Sequence, residues 1–289
     1  MRYYRLRRQG EPALAVTDGS NTYDLTSAEP ALDSFGALAR TAAIAGETVD
    51  EVAARHRDRA PEIELPTAGS SGEVTLPVAV DEVWAAGVTY RISEEARTEE
   101  SSMPQMYVDV YDADRPELFF KATAGRTVGP GEAIGIRGDS DWNVPEPELG
   151  VVLYRGEPVG YTAGNDVSSR EIEGENPLYL PQAKVYDRCC SLGPCVATGI
   201  DDPHALDLSM TITRDGEQIY DGTTSTAEMV RTCEELVSYY TRHNAVPDLA
   251  VLLTGTSLVP EEGFSLRTGD RVSIDIEEIG RLSNDVVEV

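Results

Sequence analysis

The chain has 289 residues, 51 acidic against 24 basic side chains and a formal net charge of −27. That balance disfavours nucleic acid, which needs a basic footprint, and no run of 18 apolar residues offers a membrane span. The basic start Met1-Arg2-Tyr3-Tyr4-Arg5 is followed by no apolar stretch of signal-peptide type, so the expectation is a cytoplasmic protein.

The acidic excess is dispersed along the whole chain rather than gathered in a tail. A folded surface of this kind suits high intracellular salt, a halophilic cytoplasm, where screening relieves self-repulsion. Among the basic residues only Lys121 and Lys184 are lysines; the rest are arginines. Lysine can lose its proton when desolvated and arginine cannot, so these two positions are marked for chemistry. The four cysteines, Cys189, Cys190, Cys195 and Cys233, show no C-x-x-C spacing and no nearby histidine, and read as buried small hydrophobes rather than zinc ligands or disulfides.

In chain order, residues 1–75 read as a small N-terminal α/β domain. Strands at 1–6 and 13–16 precede helices at 31–45 and 48–59, and Pro61, Pro66 and Gly69-Ser70-Ser71-Gly72 form a linker. Residues 76–289 read as a larger, strand-rich catalytic domain, with strands at 83–88, 148–154, 159–166, 208–214, 250–255 and 271–276. Asp215-Gly216 predicts a tight hairpin turn, since both residues tolerate positive φ. One helix is expected at 226–243, opened by a capping box of Ser225 and Glu228 with an apolar stripe behind it. The class is α+β, mostly β.

The densest signal is Glu146-Pro147-Glu148. Carboxylates at i and i+2 of an extended chain point to one face, and Pro147 suits a sheet rim. A hairpin centred near Gly156 and Glu157 would bring Asp166 opposite Glu148. Three converging carboxylates are either a solvated acidic face or a site for a hard cation such as Mg²⁺, Mn²⁺ or Ca²⁺.

The segment that follows, Gly160-Tyr161-Thr162-Ala163-Gly164-Asn165-Asp166-Val167-Ser168-Ser169-Arg170, resembles the signature of the fumarylacetoacetate hydrolase family. So do Gln182-Ala183-Lys184 with Leu192-Gly193-Pro194, and Thr254-Gly255-Thr256. The resemblance implies a mixed β-sandwich roll beside a small N-terminal domain. It implies Mg²⁺, with Mn²⁺ as the alternative, on Glu146, Glu148 and Asp166, and a small-molecule 2-keto acid substrate beside Lys184 and Thr256. It also implies a homodimer or homotetramer.

Hydrolases and decarboxylases of that family carry a histidine three residues after the tyrosine of a motif matching Gly87-Val88-Thr89-Tyr90; this chain has Ser93 there. The chain instead resembles the 2-keto-3-deoxy-D-arabinonate dehydratase branch. That likeness rests on Gly87-Val88-Thr89-Tyr90 with Glu95, on residues 110–123 with Glu117 and Lys121, and on Glu175-Asn176-Pro177-Leu178-Tyr179-Leu180-Pro181-Gln182. It implies loss of water from a 2-keto-3-deoxy-pentonate, xylonate or arabinonate, to give 2-oxoglutarate semialdehyde in pentose degradation. Glu95, Glu117 and Lys184 are then the catalytic candidates, with base and acid unassigned, and Thr89, Tyr90, Lys121 and Thr256 the substrate-binding ones. Lys121 also reads as an ion-pair partner of the carboxylates, and Arg115 as either structural or functional. The alternatives are a 2,4-diketo acid hydrolase or oxaloacetate decarboxylase of the same family, and a non-catalytic protein that binds metal and sugar acid.

Overall fold

The computed structural model describes residues 1–8, 10–19, 21–66, 72–90, 109–111, 113–261 and 263–289. A mixed sheet of twelve strands dominates it. Its order runs Glu62–Ile63, Thr22–Asp24, Glu11–Thr17, Arg2–Arg8, Cys190–Ala197, Glu157–Asp166, Pro147–Tyr154, Leu249–Leu253, Glu82–Gly87, Glu117–Thr123. Gly72–Thr75 and Thr127–Val128 pair off this path, on Arg2–Arg8 and Cys190–Ala197. The N-terminal segment joins the sheet directly, through Arg2 against Ala197 and Tyr3 against Val196. A second sheet of five strands runs Glu217–Ser225, Asp207–Arg214, Arg271–Ile276, Gly280–Glu288, Ile134–Ile136.

Side-chain alternation sorts the large sheet into two cores. Along the fully buried strand Pro147–Tyr154, Leu149, Val151 and Leu153 join Leu208, Met210, Ile212, Val272 and Ile274 of the second sheet, which makes a sandwich. Val152 and Tyr154 turn the other way, toward Leu38, Ala39, Val49 and Val52 of two helices. Those helices are Phe35–Ala45, capped by Ser34 and ended by Gly46 in the left-handed region, and Val49–Arg57, with a capping box of Thr48 and Glu51. All four cysteines are free and buried. Among the described residues no helix is long and apolar enough to cross a membrane.

The structure alters two expected elements. Asp215 and Gly216 turn the hairpin as expected, at φ 53° and 84°, but the ligand-bearing hairpin turns one residue early. Arg155 and Gly156 take φ 52° and 87°, and a bulge lies between Val152 and Leu153. Asp166 therefore lies across from Glu146, whose carbonyl accepts the Asp166 N–H at 2.9 Å, and Glu148 pairs with Gly164. The helix expected at 226–243 is a 3₁₀ turn, Thr226–Glu228, then an α-helix, Cys233–Thr241. Between them Val230 donates to the Thr89 carbonyl and Met229 bridges to Tyr90, so this stretch is held to the loop that follows strand Glu82–Gly87. The helix is capped by Thr232, while Ser225 Oγ accepts only from Ala227 N–H and forms no box with Glu228.

Candidate active site

Glu146, Glu148 and Asp166 each offer an oxygen within 4.8 Å of the others, and all three are buried. Strand pairing places them: Glu146 and Glu148 lie two residues apart, with Asp166 on the neighbouring strand. Glu146 Oε2 accepts from Lys184 Nζ at 2.8 Å and its Oε1 lies 3.3 Å from Arg170. Asp166 Oδ2 accepts from Lys184 Nζ at 3.1 Å, and its Oδ1 pairs with Lys121 Nζ at 2.6 Å. Glu148 has no such ion pair among the described residues, and its Oε2 takes the Gly255 N–H at 2.6 Å.

The carboxyls titrate accordingly. Burial pushes Glu148 well above the carboxylate range, and the charges of Asp166 and Glu146 push the same way. Burial also raises Glu146, against the pull of Lys184 and Arg170. Asp166 feels the same desolvation, but Lys121 and Lys184 outweigh it and hold the carboxyl below its ordinary value. Burial would depress Lys184, yet Asp166, Glu146 and Glu173 hold its ammonium well above the lysine range.

Both lysines of the chain meet here. Lys121 is fully buried, and its ammonium donates to the carbonyls of Val167 at 2.9 Å and Lys184 at 2.5 Å besides pairing with Asp166. Two backbone hydrogen bonds and one ion pair thus hold the ammonium within the chain. The same ammonium that steadies Asp166 therefore also anchors the backbone that carries Lys184.

Glu117 begins the edge strand Glu117–Thr123, opposite Gly87. A Cβ at Gly87 would run into the Glu117 carboxyl where it now lies, so a side chain there would have to displace it. Although the residue as a whole is partly exposed, its carboxyl is desolvated. Burial first, then the charge of Glu173, pushes it up to about 7, with Lys184 pulling the other way.

The Gly87–Tyr90 loop sits beside the triad. Thr89 Oγ1 donates to the Thr254 carbonyl at 2.5 Å, which ties the loop to the turn that supplies the Gly255 N–H. Tyr90 is 1% exposed, and its hydroxyl has no hydrogen-bond partner among the described residues. Thr256 follows that turn and accepts from Leu258 N–H at 3.0 Å. Arg115 lies over the Tyr239 ring, 5.5 Å from its centroid. Glu95 and Ser93 lie outside the described residues.

Two members of this cluster escaped the sequence reading. Glu173 accepts from Ser168 Oγ at 2.9 Å, and its charge acts on Lys184, Glu117 and Glu146. Arg170, one helical turn before it, faces Glu146. The pair is spaced i, i+3 on the helix Arg170–Glu175, a signal lost in a chain so rich in acids.

Among the described residues five acids, Glu117, Glu146, Glu148, Asp166 and Glu173, thus face three bases, Lys121, Lys184 and Arg170. Burial raises Glu117 and Glu148, and the charge of Lys184 only partly offsets it. Gathered oxygen donors with surplus negative charge fit a hard divalent cation.

Comparison with known proteins agrees with this geometry. The family model for the fumarylacetoacetate (FAA) hydrolase C-terminal domain matches residues 82–287. The probable 2-keto-3-deoxyxylonate dehydratase of Haloferax volcanii is 65% identical across the full length of both chains. The 2-dehydro-3-deoxy-D-arabinonate dehydratase of Saccharolobus solfataricus is 45% identical over 74% of each. A solved structure of 2-keto-3-deoxy-D-arabinonate dehydratase complexed with magnesium and 2,5-dioxopentanoate superposes with a TM-score of 0.83. It is 34% identical, with 100% of this chain and 99% of that one covered. With its carboxylate triad in place and its domain matched from strand Glu82–Gly87 almost to the C-terminus, the chain belongs to the fumarylacetoacetate hydrolase family.

Proposed function

We propose that this chain is a Mg²⁺-dependent dehydratase that converts a 2-keto-3-deoxy-pentonate to 2-oxoglutarate semialdehyde, which is 2,5-dioxopentanoate. The observation that carries the reading is the buried Glu146, Glu148 and Asp166 triad, with a cationic Lys184 on one side and a carboxyl poised near neutrality, Glu117, on the other. Full-length similarity to the Haloferax volcanii protein supports the substrate class.

The three carboxylates hold Mg²⁺, or Mn²⁺ as the alternative, and the ion when bound supplies Lewis-acid polarisation of the 2-keto acid. Lys184 places a fixed positive charge beside the developing oxyanion at C2. Glu117, ionised in part at neutral pH, takes a proton from C3 and returns it to the departing C4 hydroxyl. General acid–base work of this type contributes roughly 10²–10⁴-fold. The C3=C4 bond so formed moves to C4=C5 as C5 loses a proton and C3 gains one. The resulting enol takes a proton at C4 and gives up its hydroxyl proton to become the C5 aldehyde, so one water is lost overall and no redox partner is needed. Glu95 shares the proton work, Tyr90 and Thr256 orient the substrate, and Thr89 and Lys121 act through the groups they brace. Residues 1–75 and 76–289 serve as accessory and catalytic domains.

The reading extends to a homodimer or homotetramer in a salt-rich cytoplasm. The net charge of −27 and the near-exclusion of lysine from the surface support the salt. The test is turnover of both C4 epimers of 2-keto-3-deoxy-pentonate at multimolar KCl, with Mg²⁺ and with chelator. Metal-dependent release of 2,5-dioxopentanoate is expected, and the faster epimer identifies the parent sugar. Turnover of an acylpyruvate or oxaloacetate in its place would refute the dehydratase assignment, and binding without turnover would leave a sugar-acid-binding protein.

A further inference from the structure

Strand Glu157–Asp166 ends in two polar residues that point to opposite faces of the sheet. Asp166 turns to the carboxylate cluster. Asn165, 0% exposed, turns toward the sandwich core, yet its side chain reaches back to the start of the neighbouring strand, where Oδ1 accepts the Glu146 N–H at 3.0 Å. The amide orientation follows from that contact, because a backbone N–H can only meet the oxygen.

Glu146 stands just before the first residue of its strand, Pro147. Its carbonyl is held by the Asp166 N–H at 2.9 Å, and its N–H is held by Asn165. Both ends of this residue are thus fixed from two consecutive residues of the partner strand. The second hold has a cost. Among the described residues Asn165 Nδ2 is buried with no partner, and so is Oγ of Ser191, its cross-strand neighbour. An apolar residue at position 165 would avoid the stranded donor but would also leave the Glu146 N–H without an acceptor.

We propose that Asn165 is a positioning residue for the metal: by accepting the Glu146 N–H it fixes the backbone from which the Glu146 carboxylate reaches the ion. The inference rests on the reading of Glu146, Glu148 and Asp166 as Mg²⁺ ligands. Asn165 touches neither metal nor substrate, and its effect is on ligand geometry.

Asn165→Ala and Ser191→Ala each remove one buried polar group from facing positions of adjacent strands, but only the first touches Glu146. Mg²⁺ is titrated calorimetrically into the metal-free full-length protein and both variants, with thermal unfolding followed in chelator. Asn165→Ala is expected to bind Mg²⁺ about 10- to 100-fold more weakly, the range for partners that orient metal ligands. Its turnover should recover as Mg²⁺ is raised, and Ser191→Ala should bind as the wild type does. Unchanged affinity in Asn165→Ala, or an equal loss in Ser191→Ala, overturns the proposal. Should Asn165→Ala fail to fold, Asn165→Ser, too short to reach Glu146, carries the same comparison. A wild-type protein that takes up no Mg²⁺ sinks the ligand assignment and this inference together, whereas normal wild-type binding with undiminished Asn165→Ala binding sinks the positioning role alone.

Discussion

Two sets of ion pairs in this molecule differ in almost every physical respect. On the outer surface arginines meet carboxylates in open water: Arg7 with Glu73, 62% and 67% exposed, and Arg271 with Asp285, 60% and 51%. In the interior Lys121 and Asp166 are 0% and 1% exposed, and Lys184 joins them with Glu146. Surface pairs are screened by salt and contribute about 0–1 kcal/mol each. The interior set is locked by desolvation, so losing one partner strands another. In a chain with 51 acids, the abundance of carboxylates therefore carries little information, and their burial carries most of it.

The sharpest way to break this contrast is Asp166→Asn. It leaves the Lys121 and Lys184 ammonium groups facing a neutral amide, and breaking a buried pair costs roughly 3–5 kcal/mol. Denaturant unfolding should show that loss, and Mg²⁺ binding by calorimetry should disappear. A variant as stable as the parent would mean that the interior pairs behave like surface ones.

Glu117→Gln comes next. It should keep the fold and lose about 10²–10⁴-fold in kcat. The wild-type rate should bend near pH 7, following the carboxyl pushed up to about 7, and the bend should vanish in the variant.

A smaller effect concerns stability. Glu117 holds its proton more tightly folded than unfolded, so between about 4.5 and about 7 the folded state binds more protons. Stability contributed by this group is present below that window and falls as pH rises through it. Denaturation at pH 5 and pH 8 should show a shallower decline for Glu117→Gln, and an identical slope would argue that the carboxyl is solvated.

The smallest effect is expected from Arg271→Ala with Asp285→Ala in a double-mutant cycle. The coupling should stay below about 1 kcal/mol and fade in multimolar KCl. A large, salt-resistant coupling would erase the distinction between the two sets.

The triad was legible in the sequence because alternation along a strand is a rigid rule and the family pattern fixed which acids to count. The register was not. It hung on whether Arg155 would accept positive φ, which it does, and on a bulge that no residue type announces. The helix expected at 226–243 failed for a related reason: its apolar stripe is real, but Met229 and Val230 are drawn to the Thr89–Tyr90 loop by tertiary pairing. Glu173 and Arg170 were hidden by composition. The three contacts of Lys121 depend on Val167 and Lys184, which lie 46 and 63 residues away in the chain.

The strands that carry the carboxylates lie inside the large sheet, Glu157–Asp166 against Cys190–Ala197 and Pro147–Tyr154 against Leu249–Leu253. Edge strands can fray while these keep hydrogen-bonded neighbours on both sides and an apolar layer on each face. Under native conditions their amides should be the last to trade hydrogen for deuterium, opening only when the whole molecule does. The ligand set thus sits at the ends of the slowest-exchanging strands, and heating should loosen the outer strands well before it scatters the three carboxylates.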